Sequence, residues 1–400
     1  MSTNIIEKNN IKPKGLYNLG LSCYMNSLLQ CLFYIKDLRQ YFINQNFADG
    51  QPVCQAFAEV MNGLKNCKKE YFEPIKFKKI MGKVNGLFFG VNAADVKDLF
   101  INLIDKFITE LKMNYNDEDE DIENDDDVDS SNKIGMFNEE VKAINKNIIV
   151  NELFIGYYET IYKCTEKSPL IFNSYAFQSD SFILFELEKI KQYFKKKKLS
   201  LELCFKYYSR EQLGFEFYCS ECKKVHEGNA YEKIYRPPKI LVVVLDRGFG
   251  KTFKGYVEID KYLDLKNKID EEKYDYSCLY KLICVSTHSG TSSSSGHYTA
   301  CCLTDNNKYY YFSDTYVHEI DEKEITQNEP YLLFYQQLNK EEENNIDEKY
   351  KIHIIKNRAK DIFDKINGPS DPKNKNKVRF YININIPENT DININKEIKI

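Results

Sequence analysis

Tryptophan is absent from the 400-residue chain, and histidine is scarce: His226, His288, His297, His318 and His353 are all there are. Any chemistry that needs an imidazole therefore has five candidate positions. Long apolar runs are missing too. The longest, Ile240 to Leu245, falls far short of the ~20 residues that cross a bilayer. The opening MSTNIIEKNNIKPK has no apolar core, so neither a secretory signal nor a membrane partner is expected. No basic stripe appears, and a formal net charge of −4 argues against a nucleic-acid partner. Twelve cysteines without a leader read as reduced thiols rather than a disulfide framework, which points to a cytoplasmic or nuclear compartment. What is present, 42% hydrophobic and 14% aromatic residues, suffices for a sizeable core in one large domain or two to three ordinary ones.

The texture of the chain changes along its length. Residues 1–14 read as a disordered lead-in. Helical periodicity follows from Cys23 to Ile35, from Ala56 to Leu64 and from Ala93 to Leu111. In the last of these, Val96, Leu99, Phe100, Leu103, Ile104 and Phe107 form one apolar stripe. The first hundred residues thus predict a mainly helical lobe. Asp117 to Asp129 then packs ten acids into thirteen residues, so residues 114–132 are expected to be a disordered, solvated insertion. From about 148 to 335 short β-rich segments take over, among them IIVNELFIGYYETIYKC, KILVVVLD, YKLICVSTH and HYTACCL, and an antiparallel β lobe is expected. Residues 338–400 are rich in Lys, Glu and Asn, with one helix expected near Ile352 to Ile366; they read as an extension outside the catalytic unit.

Chemistry concentrates in Gly15 to Phe42, GLYNLGLSCYMNSLLQCLFYIKDLRQYF. Gly15 and Gly20 permit tight backbone before a helix whose apolar positions are Met25, Leu28, Leu29, Leu32 and Ile35. Cys23 sits at the N-terminal end of that helix. Unpaired N–H groups and the helix dipole favour a thiolate there, and its pKa is expected to fall below the ~8.5 of a free thiol. The competing reading is a half-buried small hydrophobe, which is how free cysteines usually behave.

A nucleophilic thiol needs a base. His297 lies in GHYTACCLTDNNKYYYFSDT, where Tyr298 to Thr304, a turn at Asp305 to Asn307, and Lys308 to Ser313 read as a hairpin. Counting back from the turn brings the residue opposite His297 near Asp314 or Thr315. A directly opposed pair shares one face with Cβ atoms ~5 Å apart. An imidazole and an acceptor at one end of a hairpin suit a base and its orienter. A one-residue slip reverses the face, so counting leaves Ser313, Asp314 and Thr315 all open.

At this point the residues resemble a known family. GLYNLGLSCYMNSLLQCL resembles the cysteine box of the ubiquitin-specific proteases, and HSGTSSSSGHYTACC with YYYFSDTYV resembles their histidine box. AADVKDLFINLID, the stretch SLELCFKYYSREQLGFEFYCSECKKVHEGNAYEKIYRPPKILVVVLDR and EPYLLFYQQ resemble the intervening and closing segments, in order over residues 15–337. The resemblance implies an α+β, papain-like cysteine protease fold with a helical thumb, an antiparallel β palm and β fingers. It implies Cys23 as nucleophile, His297 as general base, Asn18 as oxyanion donor, and Asp95 and Tyr298 as residues holding the substrate tail. A side-chain amide beside the nucleophile's N–H makes independent sense as an oxyanion donor.

The departures are informative. The family's FDDS or FNDS is Phe312-Ser313-Asp314-Thr315 here, so Ser313 occupies the usual third position and Asp314, its neighbour, is the stronger electrostatic partner. The two rank nearly level, with a lean to Asp314. In the fingers the family's zinc needs two Cys-x-x-Cys knuckles. Cys219 and Cys222 form one, but Cys164 is followed at the third position by Lys167. Three thiolates and a lysine do not close the site unless His226 completes it, so no cofactor is required and bound zinc is disfavoured.

The expected reaction is thiol-dependent hydrolysis of the isopeptide or peptide bond after the C-terminal Gly of ubiquitin, by a monomeric enzyme acting on ubiquitin and ubiquitinated proteins. Alternatives are a protease for another ubiquitin-like modifier, a catalytically silent ubiquitin-binding scaffold, and, more weakly, a general papain-like protease.

Overall fold

The computed structural model describes residues 11–112 and 148–367, apart from gaps at 165, 167–172, 197, 220–221, 249–252, 270–276, 293–294 and 327–328. The acidic insertion, most of the lead-in, and the tail beyond 367 lie outside the described residues.

The helical lobe comprises α1 (Cys23–Phe33), α2 (Lys36–Asn44), α3 (Pro52–Asn66), α4 (Ile75–Val84), α5 (Val96–Lys112) and α6 (Ile149–Phe154). Two short strands, β1 (Gly15–Leu16) and β2 (Tyr71–Phe72), pair in parallel beside it. Every residue of α1 is buried, which is the behaviour of a helix enclosed on all sides rather than one with a single wet face. The lobe closes around Phe42, Phe57 and Phe107, whose ring centroids lie 4.7 to 4.9 Å apart; each such aromatic pair adds roughly 0.5–1.5 kcal/mol beyond its area burial.

Two sheets make the β lobe. The fingers are β3 (Gly156–Lys163), β4 (Asn173–Asp180), β7 (Gln212–Cys219) and β8 (Lys224–Arg236), antiparallel in the order β4-β3-β8-β7. The palm is built from β5 (Ile183–Glu186), β9 (Ile240–Asp246), β12 (Leu279–Ser292), β13 (Ser295–Leu303), β14 (Tyr309–Ser313), β15 (Tyr316–Ile320) and β16 (Pro330–Gln337), ordered β15-β14-β13-β12-β16-β9-β5, with β11 (Tyr262–Asp264) also on β12. A parallel pair, β6 (Leu199–Ser200) with β10 (Val257–Glu258), and helices α7 (Leu187–Phe194) and α8 (Leu201–Tyr208) complete it. The thumb packs on one face of the palm, where Val242, Val244, Cys284, Ala300, Cys302 and Phe334 join the thumb's core. Alternate residues of the same strands, Leu241, Val243, Val285 and Leu333, feed a second core behind it.

Two expectations change. Residues 149–154 are helical, not the start of a strand. Val150, Leu153 and Phe154 fall at helical spacing and are buried, and Phe154 meets Phe100 edge-on at 5.8 Å. Packing overrides the local β propensity here. The first part of the C-terminal extension also packs on the catalytic unit. After α9 (Lys340–Asn344), α10 (Glu348–Asn367) lies against the β11 side of the palm. Leu279, Leu338, Ile346 and Ile354 form a small apolar cluster there. Tyr350 bonds Glu322, Arg358 pairs with Asp264, and His353 Nε2 lies 3.3 Å from Asp260. Among the described residues no helix is long and apolar enough to cross a membrane.

Candidate active site

The loop before α1 is shaped by its own side chains. Asn18 Oδ1 accepts from Gly20 N and Ser22 N, both at 3.1 Å, and Ser22 Oγ accepts from Leu19 N at 2.8 Å. Gly20 has φ +88, and a Cβ there would meet Val91 Cγ1 at 2.8 Å, so glycine is required twice over. The turn delivers Cys23 as the first helical residue, 8% exposed.

The thiol faces β13. Its sulfur meets the backbone N–H of Tyr298, the residue after His297, and those of Cys23 and Tyr24. The expected depression of its pKa is not what results. Burial pushes the Cys23 thiol above its ordinary value; the N–H groups oppose this, and the Asp314 carboxylate adds to it.

His297 Nε2 lies 2.8 Å from Ser313 Oγ. Asp314, the stronger partner by charge, turns elsewhere. Its Oδ2 accepts from Asn18 Nδ2 at 2.8 Å, its Oδ1 from Asn26 Nδ2 at 2.7 Å, and its carbonyl from Leu16 N at 2.9 Å. The lean toward Asp314 as the residue on the histidine is therefore corrected in favour of Ser313. The reason is local. The β13–β14 ladder ends at the Ala300–Phe312 pair, and β14 turns into β15 through Asp314 at φ +52. The count that places Thr315 opposite His297 assumes a ladder that continues. Asp314 instead clamps the nucleophile loop from the far side of the groove.

Asp95 precedes α5. Its Oδ1 accepts from Lys97 N at 2.8 Å, and its Oδ2 from the Tyr331 hydroxyl at 2.8 Å. Burial raises its pKa against the pull of both donors. Tyr298 is 4% exposed, with its hydroxyl against Val96 N–H and its ring stacked on His288 at 4.2 Å. The ring stands behind the groove wall; it is the Tyr298 backbone that reaches Cys23. Asn26 and Tyr331 were not read from the sequence as part of the site. Asn26 carried a usable signal: a polar residue one turn from Cys23, on a helix where Asn26, Ser27 and Gln30 interrupt the apolar residues.

In the fingers, Cys164, Cys219, Cys222 and His226 bring four ligand atoms within 4.8 Å of one another. Cys164 Sγ is 3.6 Å from Cys222 Sγ and 3.5 Å from His226 Nε2. A tetrahedral zinc with ~2.3 Å bonds to sulfur needs ligand atoms roughly 3.7 Å apart, so this set fits. His226 Nδ1 sits 2.7 Å from the Glu227 carbonyl, which selects the tautomer that leaves Nε2 free to ligate. Lys167 lies outside the described residues.

A thiol heading a buried helix, laid across a sheet whose rim carries an imidazole held by a hydroxyl, is the arrangement of an α+β, papain-like cysteine protease fold. More narrowly, the chain belongs to the ubiquitin carboxyl-terminal hydrolase family, whose model matches residues 14–335. It is 24% identical over 335 residues to ubiquitin carboxyl-terminal hydrolase Usp2 of Drosophila melanogaster, covering 80% of this chain and 34% of that protein. With ubiquitin carboxyl-terminal hydrolase 21 of Homo sapiens it shares 25% over 364 residues, covering 80% and 61%. Among solved structures it is similar to the SAGA DUB module of Ubp8, Sgf11, Sus1 and Sgf73 bound to monoubiquitin, with a TM-score of 0.65 and 20% identity over 83% of this chain and 70% of that one. The same module bound to ubiquitin aldehyde matches with a TM-score of 0.64 and 18% identity, over 85% and 72%. The chain spans between a third and about three-fifths of the length of these curated relatives.

Proposed function

We propose that this chain is a thiol-dependent deubiquitinase that hydrolyses the isopeptide or peptide bond after the C-terminal Gly of ubiquitin. The observation that carries the reading is the meeting of Cys23 with the Tyr298 N–H, one residue from an imidazole whose Nε2 is held by Ser313. Family membership and the ubiquitin bound in the similar structures support the choice of substrate.

In this mechanism His297 takes the Cys23 proton through its free nitrogen as the sulfur attacks the glycine carbonyl. The Cys23 N–H and the second amide hydrogen of Asn18 face the developing oxyanion, while Asp314 holds the first. His297 then protonates the departing lysine amine, and water cleaves the thioester. Asp95, steadied by Tyr331, accepts hydrogen bonds from the extended tail. Cys164, Cys219, Cys222 and His226 are the residues that would hold a structural zinc, which would tie the end of β3 to the β7–β8 tip and supply no catalytic chemistry. Intracellular compartments, cytoplasmic or nuclear, suit a chain whose cysteines act reduced.

The test is reaction with ubiquitin bearing a C-terminal thiol-reactive group. Covalent labelling that vanishes in Cys23→Ser is the expected result. Binding without labelling makes the protein a ubiquitin-binding scaffold, and preferential labelling by another modifier's probe makes it a protease of that modifier.

A further inference from the structure

Behind the base, β12 presents another imidazole to the strand that carries it. His288 and Tyr298 are directly paired in the β12–β13 ladder, so their side chains share one face of the sheet. The two rings stack with centroids 4.2 Å apart and planes 25° from parallel. Both are buried, His288 at 6% exposure and Tyr298 at 4%. The other chain neighbour of the base meets the same ring. A Cβ on Gly296 would lie 2.5 Å from His288 Nε2, and Gly296 has φ +155, a conformation suited to glycine. Along β13 the side-chain period turns His297 to the opposite face, between these two contacts. The Tyr298 ring is held further by Tyr331, at 6.3 Å between centroids, and its hydroxyl meets the Val96 N–H. His288 is itself anchored, its backbone N–H donating to the Glu329 carbonyl at 3.2 Å.

We propose that His288 is a positioning residue for the reaction at Cys23, its ring holding Gly296 and Tyr298, the residues on either side of His297. The groups that the sulfur needs are consecutive in the chain: His297 carries the imidazole held by Ser313, and the Tyr298 N–H reaches the Cys23 sulfur. One short backbone segment therefore places both. Its torsions are limited from behind, because Tyr298 cannot tilt without leaving the stack and Gly296 cannot swing inward against Nε2. Removing the ring strips the back of β13 of its packing contacts, and a shift of ~1 Å at a reacting group can cost 10²-fold in rate. The substrate tail is held elsewhere, at Asp95 with Tyr331, so the loss should fall on turnover rather than on binding. The inference deepens the proposed hydrolase reading, and its kinetic arm rests on that reading.

The experiment compares the full wild-type chain with His288→Ala and with His288→Phe, which keeps a flat ring in the stack. On a fluorogenic ubiquitin amide, His288→Ala should lower kcat roughly 10- to 100-fold and move KM less than about threefold. His288→Phe should recover most of that kcat. If His288→Ala melts below the assay temperature, His288→Leu, which fills the space without a flat ring, takes its place with the same loss expected. A second arm needs no substrate: the ring resonances of His297, assigned by their absence in His297→Ala, are followed by NMR. They should shift and broaden in His288→Ala and return toward wild type in His288→Phe. A wild-type chain that turns over no ubiquitin amide, yet whose His297 responds in this way, sinks the substrate reading and upholds the positioning role. Wild-type kcat in His288→Ala, an unmoved His297 signal, a loss confined to KM, or a His288→Phe as impaired as His288→Ala would each overturn the proposal.

Discussion

Asp314 offers the sharpest test of how the groove works. Its carboxylate accepts one amide hydrogen from Asn18 and one from Asn26, and hydrogen bonds to a charged group are worth about 1.5–3 kcal/mol each. Ser313 makes one neutral bond to His297, worth about 0.5–1.5 kcal/mol. At ~1.4 kcal/mol per factor of ten, Ser313→Ala should lower kcat/KM about tenfold at most. Asp314→Ala frees the Asn18 amide, and losing one oxyanion donor costs roughly 10²–10³ in rate. The larger loss is therefore expected at the residue that does not touch the imidazole, and it should fall on kcat rather than KM. Turnover of a fluorogenic ubiquitin amide measures both. Because Asn26 is buried, Asp314→Ala also lowers stability, so rates are compared well below each variant's Tm. A cycle separates the two effects. If Asp314 acts through Asn18, adding Asp314→Ala to Asn18→Ala changes turnover little. An undiminished Asp314→Ala loss in that background, or a Ser313→Ala loss as deep as the Asp314→Ala one, refutes this division of labour.

Three further outcomes are expected. The raised pKa of Cys23 means the neutral thiol dominates below it, so alkylation of Cys23 in the free enzyme should keep accelerating as pH rises through the ordinary thiol range. Asp314→Asn, which removes a repelling charge, should move that profile to lower pH; a rate already flat at about pH 6, as a pre-formed thiolate gives, refutes it. Purified protein should carry one zinc by elemental analysis, lost in His226→Ala with a fall in Tm, whereas metal-free protein with wild-type Tm denies the fingers site. Ile354→Ala should cost about 2–5 kcal/mol, as buried Ile→Ala changes do, and unchanged thermal melting would show that α10 is not docked in solution.

What could be read from the chain was local. The Cys23 helix and the His297 hairpin follow from side-chain period and a turn sequence, and the structure has them as α1 and β13–β14. What escaped depended on contacts between distant residues. The burial that raises the Cys23 pKa comes with β13, about 275 residues away in sequence by the spacing of Cys23 and Tyr298. Ser313 could not be chosen over Asp314 because the left-handed turn at Asp314 interrupts the very count used to choose. His226 joins Cys164 only once β3 and β8 pair. The helix at 149–154 and the docking of α10 likewise depend on partners, Phe100 and Leu279, that no local pattern names.

The carboxylate of Asp314 has a mechanical meaning beyond its bond energies. It belongs to the β14–β15 bend, yet it grips Asn18 and Asn26 on either side of the nucleophile, so the two walls of the cleft share one hinge pin. The β14–β15 bend is thereby tied to the sulfur's surroundings through Asn18 and Asn26 rather than through the sulfur itself. Tyr316, beside that bend, is exposed.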